Sequence, residues 1–297
     1  MKDIDVGGKT TVTEKFIRLK ATDGIELCGI FYSPNKKSKK TVLYVHGLAD
    51  NFYTNKYVSY IAEMYTNKGY NFLTYNNRGN GFFSNLLKED DGKVSVVKGG
   101  GAYEVFEESR LDLDGILNYL NSIGNEEVIL QGHSFGCNKV IDYCSYTENK
   151  ISKIVLLSPC DIVTQQKAYT GLDYDKLVAE AKNLYEEGKG EEVLKSLLFP
   201  LTFSAKTLVT SWLPETSADI FRYRDSGYIH EKLKNIKIPV LVEFGTKDKL
   251  ALVFGQEETV KFFNNNLSKC KINFIENAAH YYYAYEEQLA KDIEEWL

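Results

Sequence analysis

Runs of β-branched and aromatic residues alternate with helical segments along most of this 297-residue chain, and this alternation constrains the fold more than any other feature. Eight runs are predicted as strands, at residues 16–19, 25–32, 41–45, 70–75, 127–131, 151–157, 239–244 and 271–276. The first two flank Asp23-Gly24, which favours an antiparallel pair joined by a turn. The others are separated by helical segments, as in parallel sheets that carry helices on both faces. We therefore expect an α/β fold with a mostly parallel eight-stranded sheet.

Residues 161–229 interrupt this alternation, because they contain no convincing strand and their pattern is mainly helical, at residues 174–187 and 191–198. We interpret them as a helical lid inserted into a core formed by residues 1–160 and 230–297. The alternative is a simple surface excursion. Apolar residues of the insertion either line a substrate pocket or pack the lid onto the sheet. These candidates are Tyr169, Leu172, Leu201, Phe203, Trp212 and Phe221.

Composition and charge exclude several classes of protein. The chain has 36 Lys and Arg against 41 Asp and Glu, a net charge of −5, so it lacks the basic surface of a nucleic-acid-binding protein. Its apolar runs are much shorter than a membrane span, and its first residues lack the apolar core of a secretory signal. The five cysteines form neither a disulfide framework nor a zinc motif. We expect a cytoplasmic protein with reduced thiols, no metal, no cofactor and no nucleic-acid partner.

The pentapeptide Gly132-His133-Ser134-Phe135-Gly136 directly follows a predicted strand and precedes a helical segment. This G-x-S-x-G pattern in a strand–turn–helix setting is typical of a nucleophilic serine on a sharp turn. Side chains at the two glycine positions would collide with neighbouring backbone, which explains the need for glycine there. The helix that starts after Ser134 directs free N–H groups toward developing negative charge. Ser134 is therefore the candidate nucleophile.

A serine nucleophile needs a base, usually histidine, and this chain has only four histidines. His133 adjoins the serine and is expected to point away from it across the turn. His46 ends an early strand, and His230 lies in a lysine-rich segment where we expect a solvated surface position. His280 follows the last predicted strand, so it can reach the carboxyl edge of the sheet. We therefore predict that His280 is the general base.

The carboxylate that orients the base has two candidates. Asp248 comes just after a buried strand, and sites on open α/β sheets form at this edge. Asp161 follows the strand next after that of the nucleophile. We favour Asp248 because it lies between Ser134 and His280 in the chain. The alternative role for Asp161 is to cap the insertion.

An acyl-transfer site also needs two N–H groups that bind the oxyanion of the tetrahedral intermediate. One is predicted to be the backbone N–H of Phe135, the residue after the nucleophile. The other is expected in the loop after the third strand, where Gly47 allows a close approach. The N–H of Leu48 is the candidate donor in that loop.

These motifs together resemble the α/β-hydrolase superfamily over nearly the whole chain. The chain order of Ser134, Asp248 and His280 is that of the superfamily. Residues 76–81 are similar to its D-x-R-G-x-G loop, with Asn76 in place of the usual Asp. A finer similarity, to the fungal siderophore-esterase-like branch, comes from residues 99–102, 107–109, 187–190, 212 and 219–221.

The resemblance implies a serine hydrolase that cleaves a small-molecule carboxylic ester. The same residues serve amidases, thioesterases, acyltransferases and C–C hydrolases, so the reaction stays open. A ligand-binding receptor that keeps the hydrolase fold is the alternative from another class, although a receptor has no need of all three residues. Gly99-Gly100-Gly101 lacks the spacing of a dinucleotide- or phosphate-binding motif, and we expect a mobile loop there.

Overall fold

The computed structural model describes residues 12–146, 151–170, 173–194 and 202–297. Ten strands are present in these residues. They are β1 (Thr13–Lys20), β2 (Glu26–Ser33), β3 (Lys40–Val45), β4 (Asn71–Asn76), β5 (Ser84–Asp90), β6 (Lys93–Gly99), β7 (Glu127–His133), β8 (Ile151–Leu157), β9 (Val240–Gly245) and β10 (Cys270–Ile275).

The described residues also form helices on both sides of the sheet. They are α1 (Tyr57–Asn67), α2 (Ser109–Ser122), α3 (Phe135–Tyr146), α4 (Ile162–Thr170), α5 (Tyr174–Glu186), α6 (Ala205–Thr207), α7 (Glu231–Lys234), α8 (Gly255–Asn266) and α9 (Glu286–Trp296). A π-helical turn, Leu208–Trp212, continues directly from α6.

Eight of the strands form one sheet in the order β1-β2-β4-β3-β7-β8-β9-β10. β2 pairs antiparallel with both β1 and β4, and all the other neighbours are parallel. The predicted mostly parallel eight-stranded sheet is therefore confirmed. Because the parallel strands share one direction, the loops that follow β3, β7, β8, β9 and β10 meet at the same edge.

Alternating residues of the central strands supply two separate apolar cores. On β3, Val42 and Tyr44 face the core under α1 and α9, whereas Leu43 and Val45 face the core under α2 and α3. All four side chains are buried completely or nearly so. A strand that is apolar on both faces must be covered on both, which explains the continuous apolar run at residues 41–45.

The hairpin of β5 and β6 lies outside the predicted strands. Its strands pair antiparallel around Asp91 and Gly92, both of which have positive φ. An Asp-Gly pair between alternating residues is a strong hairpin signal, so the sequence did contain the information. Of the three glycines expected in a mobile loop, Gly99 instead ends β6, whereas Gly100 and Gly101 follow in a bend and a turn. All three are buried.

Residues 161–229 lie between β8 and β9, and they begin with α4 and α5. The helix predicted at 174–187 is confirmed as Tyr174–Glu186. The helix predicted at 191–198 is wrong for residues 191–194, and residues 195–198 lie outside the described part. Val193 forms an isolated β-bridge with Ser204, and the N–H of Leu194 donates to the carbonyl of Phe203. Pairing with a neighbouring segment gives the N–H and carbonyl groups of this backbone hydrogen-bond partners, whereas an isolated short helix is only marginally stable.

Candidate active site

Ser134 stands on a strained turn between β7 and α3. Its φ is +52°, a left-handed value that is uncommon for residues other than glycine. A Cβ on Gly136 would lie 2.2 Å from the carbonyl oxygen of Val45, and one on Gly132 would lie 2.7 Å from the backbone nitrogen of Cys137. Both glycines are thus required by close backbone contacts. The N–H of Ser134 also donates to the carbonyl of Leu157 at 2.9 Å, which ties the turn to β8.

Asp248 and His280 meet at the carboxyl edge of the sheet. Nδ1 of His280 lies 2.9 Å from Oδ2 of Asp248, and both side chains are buried. The other carboxylate oxygen accepts the backbone N–H groups of Leu250 and Ala251. Burial alone would raise the pKa of Asp248, but the hydrogen bond and charge of His280 and the N–H of Ala251 outweigh it and hold that pKa below its ordinary value. Asp248 is therefore held as a carboxylate that accepts a hydrogen bond from Nδ1–H of the imidazole.

Asp161, the other candidate carboxylate, does a different job. Its Oδ1 accepts the backbone N–H of Thr164 at the start of α4, and its carboxylate pairs with the guanidinium of Arg224. The first contact caps the helix that opens the insertion. The structure thus places Asp161 in the capping position and brings Asp248 to the histidine.

A cavity of about 120 Å³ lies in front of Ser134. The two backbone donors predicted for the oxyanion belong to residues that line it. Phe135 is the first residue of α3, where N–H groups have no partner inside the helix. Gly47 approaches so closely that an added Cβ would lie 3.1 Å from Cβ of Ser134. The lining residues are Gly47, Leu48, Asp50, Phe82, His133, Ser134, Phe135, Gln165, Trp212, Leu250, His280 and Tyr281.

The hydroxyl of Ser134 lies in this cavity next to a thiol. Its Oγ is 3.9 Å from Sγ of Cys160, and within the described ranges no hydrogen bond joins it to His280. Burial raises the pKa of the Cys160 thiol well above its ordinary value, so this thiol stays protonated. Ser134 and His280 line the same cavity.

Two of the remaining histidines, His133 and His230, differ from what we expected. His133 does not point away from the nucleophile: it lines the cavity, and its ring centroid is 4.9 Å from that of His280. His46 is fully buried, and its Nε2 accepts the N–H of Asn77. Burial lowers the pKa of both rings to about 3. His230 is not a solvated surface residue, because it is partly buried and its Nδ1 caps α7 by accepting the N–H of Lys232.

The loop at residues 76–81 is held to its surroundings by buried hydrogen bonds and ion pairs. Arg78 is buried and donates through Nε and Nη2 to the carboxylate of Asp112, which is completely buried. Its guanidinium also contacts Glu108 and Asp23. Asn76, the departure from the family loop, accepts the N–H of Phe52 through Oδ1 at 3.2 Å. The loop therefore holds the segment that follows Leu48.

Among the apolar candidates of the insertion, Trp212 lines the cavity. It packs between Phe135 and Phe203, with ring centroids 4.8 Å from each. Phe203 stacks on Trp212 and does not itself line the cavity. Phe221 packs against Phe263 of α8. Leu172 and Leu201 lie outside the described residues, as does the side chain of Tyr169. The insertion thus contributes both a cavity wall and core packing.

Several cavity residues have no signal in the sequence. Asp50, Phe82, Gln165 and Tyr281 come from four different loops or helices, and only the folded chain brings them together. Burial raises the pKa of Asp50, although hydrogen bonds from Asn51 and Asn55 act in the opposite direction. In the ranges that the structure describes, no group of three or more His, Cys, Asp or Glu side chains could hold a metal ion. No helix in those same ranges is long and apolar enough to cross a membrane.

Comparisons with known proteins agree with this architecture. The family model of the alpha/beta hydrolase fold matches residues 40–283. A search of curated protein sequences finds no match. Est1E from Butyrivibrio proteoclasticus, solved with ferulic acid bound, is 15% identical with a TM-score of 0.67, over 94% of this chain and 97% of that one.

Two further solved structures are similar in the same way. The Pyrococcus furiosus esterase Pf2001 is 17% identical with a TM-score of 0.61, over 97% of this chain and 91% of that one. The alpha/beta hydrolase GrgF from Penicillium sp. sh18 is 12% identical with a TM-score of 0.66, over 95% and 97%. At these identities the likeness establishes the fold, which confirms the predicted fold class.

Proposed function

Because this chain belongs to the alpha/beta hydrolase family, we propose that it is a serine hydrolase that cleaves a carboxylic ester through an acyl-enzyme on Ser134. The observation that carries the proposal is the buried hydrogen bond between Asp248 and His280 at the edge of the cavity that holds Ser134. A carboxylate, an imidazole and a serine on a strained turn form the arrangement that activates a hydroxyl for attack on a carbonyl.

In the proposed reaction, His280 takes the proton of the Ser134 hydroxyl as Oγ attacks the ester carbonyl. The hydroxyl must first turn from Cys160 toward the imidazole, and hydrogen bonds of this kind often tighten only when substrate binds. Asp248 keeps the hydrogen on Nδ1 and stabilises the charged imidazole. The N–H groups of Leu48 and Phe135 bind the oxyanion.

Collapse of the tetrahedral intermediate transfers the proton from His280 to the leaving alcohol and leaves an acyl-enzyme. Water then attacks the acyl carbonyl, with His280 again as the base, and releases the acid. A small-molecule ester is the proposed substrate. A cytoplasmic location also stays a proposal, supported by the free thiols of all five cysteines.

A substrate panel tests the reaction class. Nitrophenyl acetate, the matched anilide, the matched thioester and a feruloyl ester are assayed with the wild type, Ser134→Ala and Asp248→Asn; the feruloyl ester is included because Est1E binds ferulic acid. We expect the acetate ester to be cleaved fastest, Ser134→Ala to be inactive and Asp248→Asn to lose about 10⁴-fold in kcat. Faster cleavage of the anilide or thioester would reassign the reaction. A ligand bound and released unaltered, without an acyl-enzyme, would indicate a receptor.

A further inference from the structure

His133 lies beside the proposed nucleophile and touches the loop of the proposed base. We propose that it is a positioning residue, which sets the distance between Ser134 and His280. This inference rests on the proposed function, because it concerns how these two residues are held for proton transfer. One hydrogen bond of His133 and the aromatic rings around it support this role.

The hydrogen bond joins the side chain of His133 to the backbone of His280. Nε2 of His133 lies 2.9 Å from the carbonyl oxygen of His280. A carbonyl oxygen can only accept, so Nε2 must carry the hydrogen and donate it. The imidazole is completely buried, and burial lowers its pKa to about 3, with the charge of His280 acting in the same direction. The ring therefore stays neutral near pH 7, with its hydrogen on Nε2.

This bond connects the two halves of the proposed site directly. His133 precedes Ser134, so it shares the rigid turn that the Gly136 contact with Val45 and the bond to Leu157 hold in place. On the other side, His280 belongs to an irregular loop in which Asn277 and Tyr282 have positive φ. Asp248 fixes the imidazole of His280, whereas His133 fixes its backbone. The side chain of His133 thus sets the position of His280 relative to Ser134.

Aromatic rings prevent His133 from adopting another orientation. Its centroid is 5.4 Å from that of Tyr57, 5.5 Å from that of Tyr281 and 4.9 Å from that of His280. Nδ1 is buried and finds no hydrogen-bond partner among the residues that the structure describes; it faces Oδ2 of Asp50 at 4.0 Å. A buried nitrogen left unpaired costs stability. The unpaired Nδ1 therefore indicates that the hydrogen bond of Nε2 determines where the ring lies.

The test compares His133→Gln with His133→Asn, two amides that differ by one methylene. Glutamine places its N–H₂ group near the position of Nε2 and can donate to the His280 carbonyl, whereas asparagine is too short to reach it. The rate of fluorophosphonate labelling per active site and the kcat and KM for nitrophenyl acetate are measured. We expect His133→Asn to lower the labelling rate and kcat about 10–100-fold with KM changed little, since small misplacements of reacting groups cost about this much. His133→Gln should recover most of both.

The final extent of labelling separates positioning from a general loss of structure. A protein that is merely destabilised labels a smaller fraction of its molecules, whereas a misplaced base labels every molecule more slowly. His230→Gln, at a partly buried histidine that caps α7, is the control and should match the wild type within about twofold. Wild-type rates in His133→Asn, or equal losses in both His133 variants, would overturn the inference alone. No labelling of wild-type Ser134 would overturn the proposed function and the inference with it.

Discussion

At the scale of single residues, the site concentrates unusual backbone and buried charge. Ser134, Ser158 and Tyr282 all have positive φ. The hydroxyls of Ser158 and Tyr282 lie 2.8 Å apart, and Tyr282 donates to the carbonyl of Glu243. Backbone conformations of this kind cost about 1–3 kcal/mol each and persist only where the surroundings enforce them. The close contacts and hydrogen bonds around the site supply that enforcement.

Glu243, on β9, is another buried carboxyl. Burial raises its pKa to about 8, although the side chain of Asn273 donates to it and opposes this shift. In the unfolded chain the same group titrates near its ordinary value of 4.5. Between these values the folded protein keeps a proton that the unfolded chain has released. The contribution of Glu243 to stability therefore falls as pH rises from about 4.5 to about 8.

Glu243→Gln should remove this pH dependence, because the amide stays neutral and keeps an oxygen for Asn273. We expect the Tm values of wild type and variant to be similar at pH 5. At pH 9 the variant should melt at least about 2 °C higher. Thermal unfolding at both pH values measures this, with Glu287→Gln as the same exchange at an exposed position. A constant difference between Glu243→Gln and wild type across the range would show that Glu243 is ionised throughout.

At the scale of elements, the segment from Phe203 to Trp212 contributes Trp212 to the wall of the cavity. Hydrogen bonds fix its backbone to the core: the N–H of Ser204 and the hydroxyl of Thr207 donate to the carbonyl of Ala102, and the hydroxyl of Ser211 accepts the N–H of Phe106. Trp212 is therefore held against Phe135 and cannot move aside without breaking these contacts. The cavity of about 120 Å³ is much smaller than the roughly 300–1,000 Å³ of pockets for drug-sized ligands.

Trp212→Ala should shift the preference of the proposed enzyme toward longer acyl chains. A series of nitrophenyl esters from acetate to octanoate measures this as the ratio of kcat/KM for the longest and shortest esters. We expect the ratio to rise at least about tenfold, because one methylene in a pocket is worth about 10–200-fold. Trp296→Ala, at the other tryptophan of the chain, is the control. If both variants show the wild-type ratio, Trp212 does not limit the substrate.

At the scale of the whole molecule, the sheet and its cores follow from the sequence because strand burial leaves a local signal. The eight sheet strands were predictable from apolar runs, and so was the edge at which Ser134, Asp248 and His280 meet. The contact of His133 with His280 was not predictable, since it joins residues 147 positions apart through one hydrogen bond. At residues 191–194, where a helix was predicted, Val193 instead bridges to Ser204, because pairing with another segment overrode local propensity.

The buried pair of Arg78 and Asp112 links the loop after β4 to α2, and it should contribute strongly to stability. Arg78→Met leaves the Asp112 carboxylate buried without its counter-charge, which costs about 3–5 kcal/mol. We expect Tm to fall by roughly 5–8 °C in a chain of this length. Arg18→Met breaks an ion pair with Glu26 at exposed positions and should change Tm little. Thermal unfolding of both variants decides this, and equal small shifts would show that the buried pair is dispensable.

Intact-mass spectrometry after reaction with a fluorophosphonate tests the identity of the nucleophile most directly. We expect one adduct per chain, located by peptide mapping on Ser134, and no adduct in Ser134→Ala with Tm unchanged within a few degrees. Full labelling of Ser134→Ala, or an adduct mapped to another residue of the wild type, would contradict it.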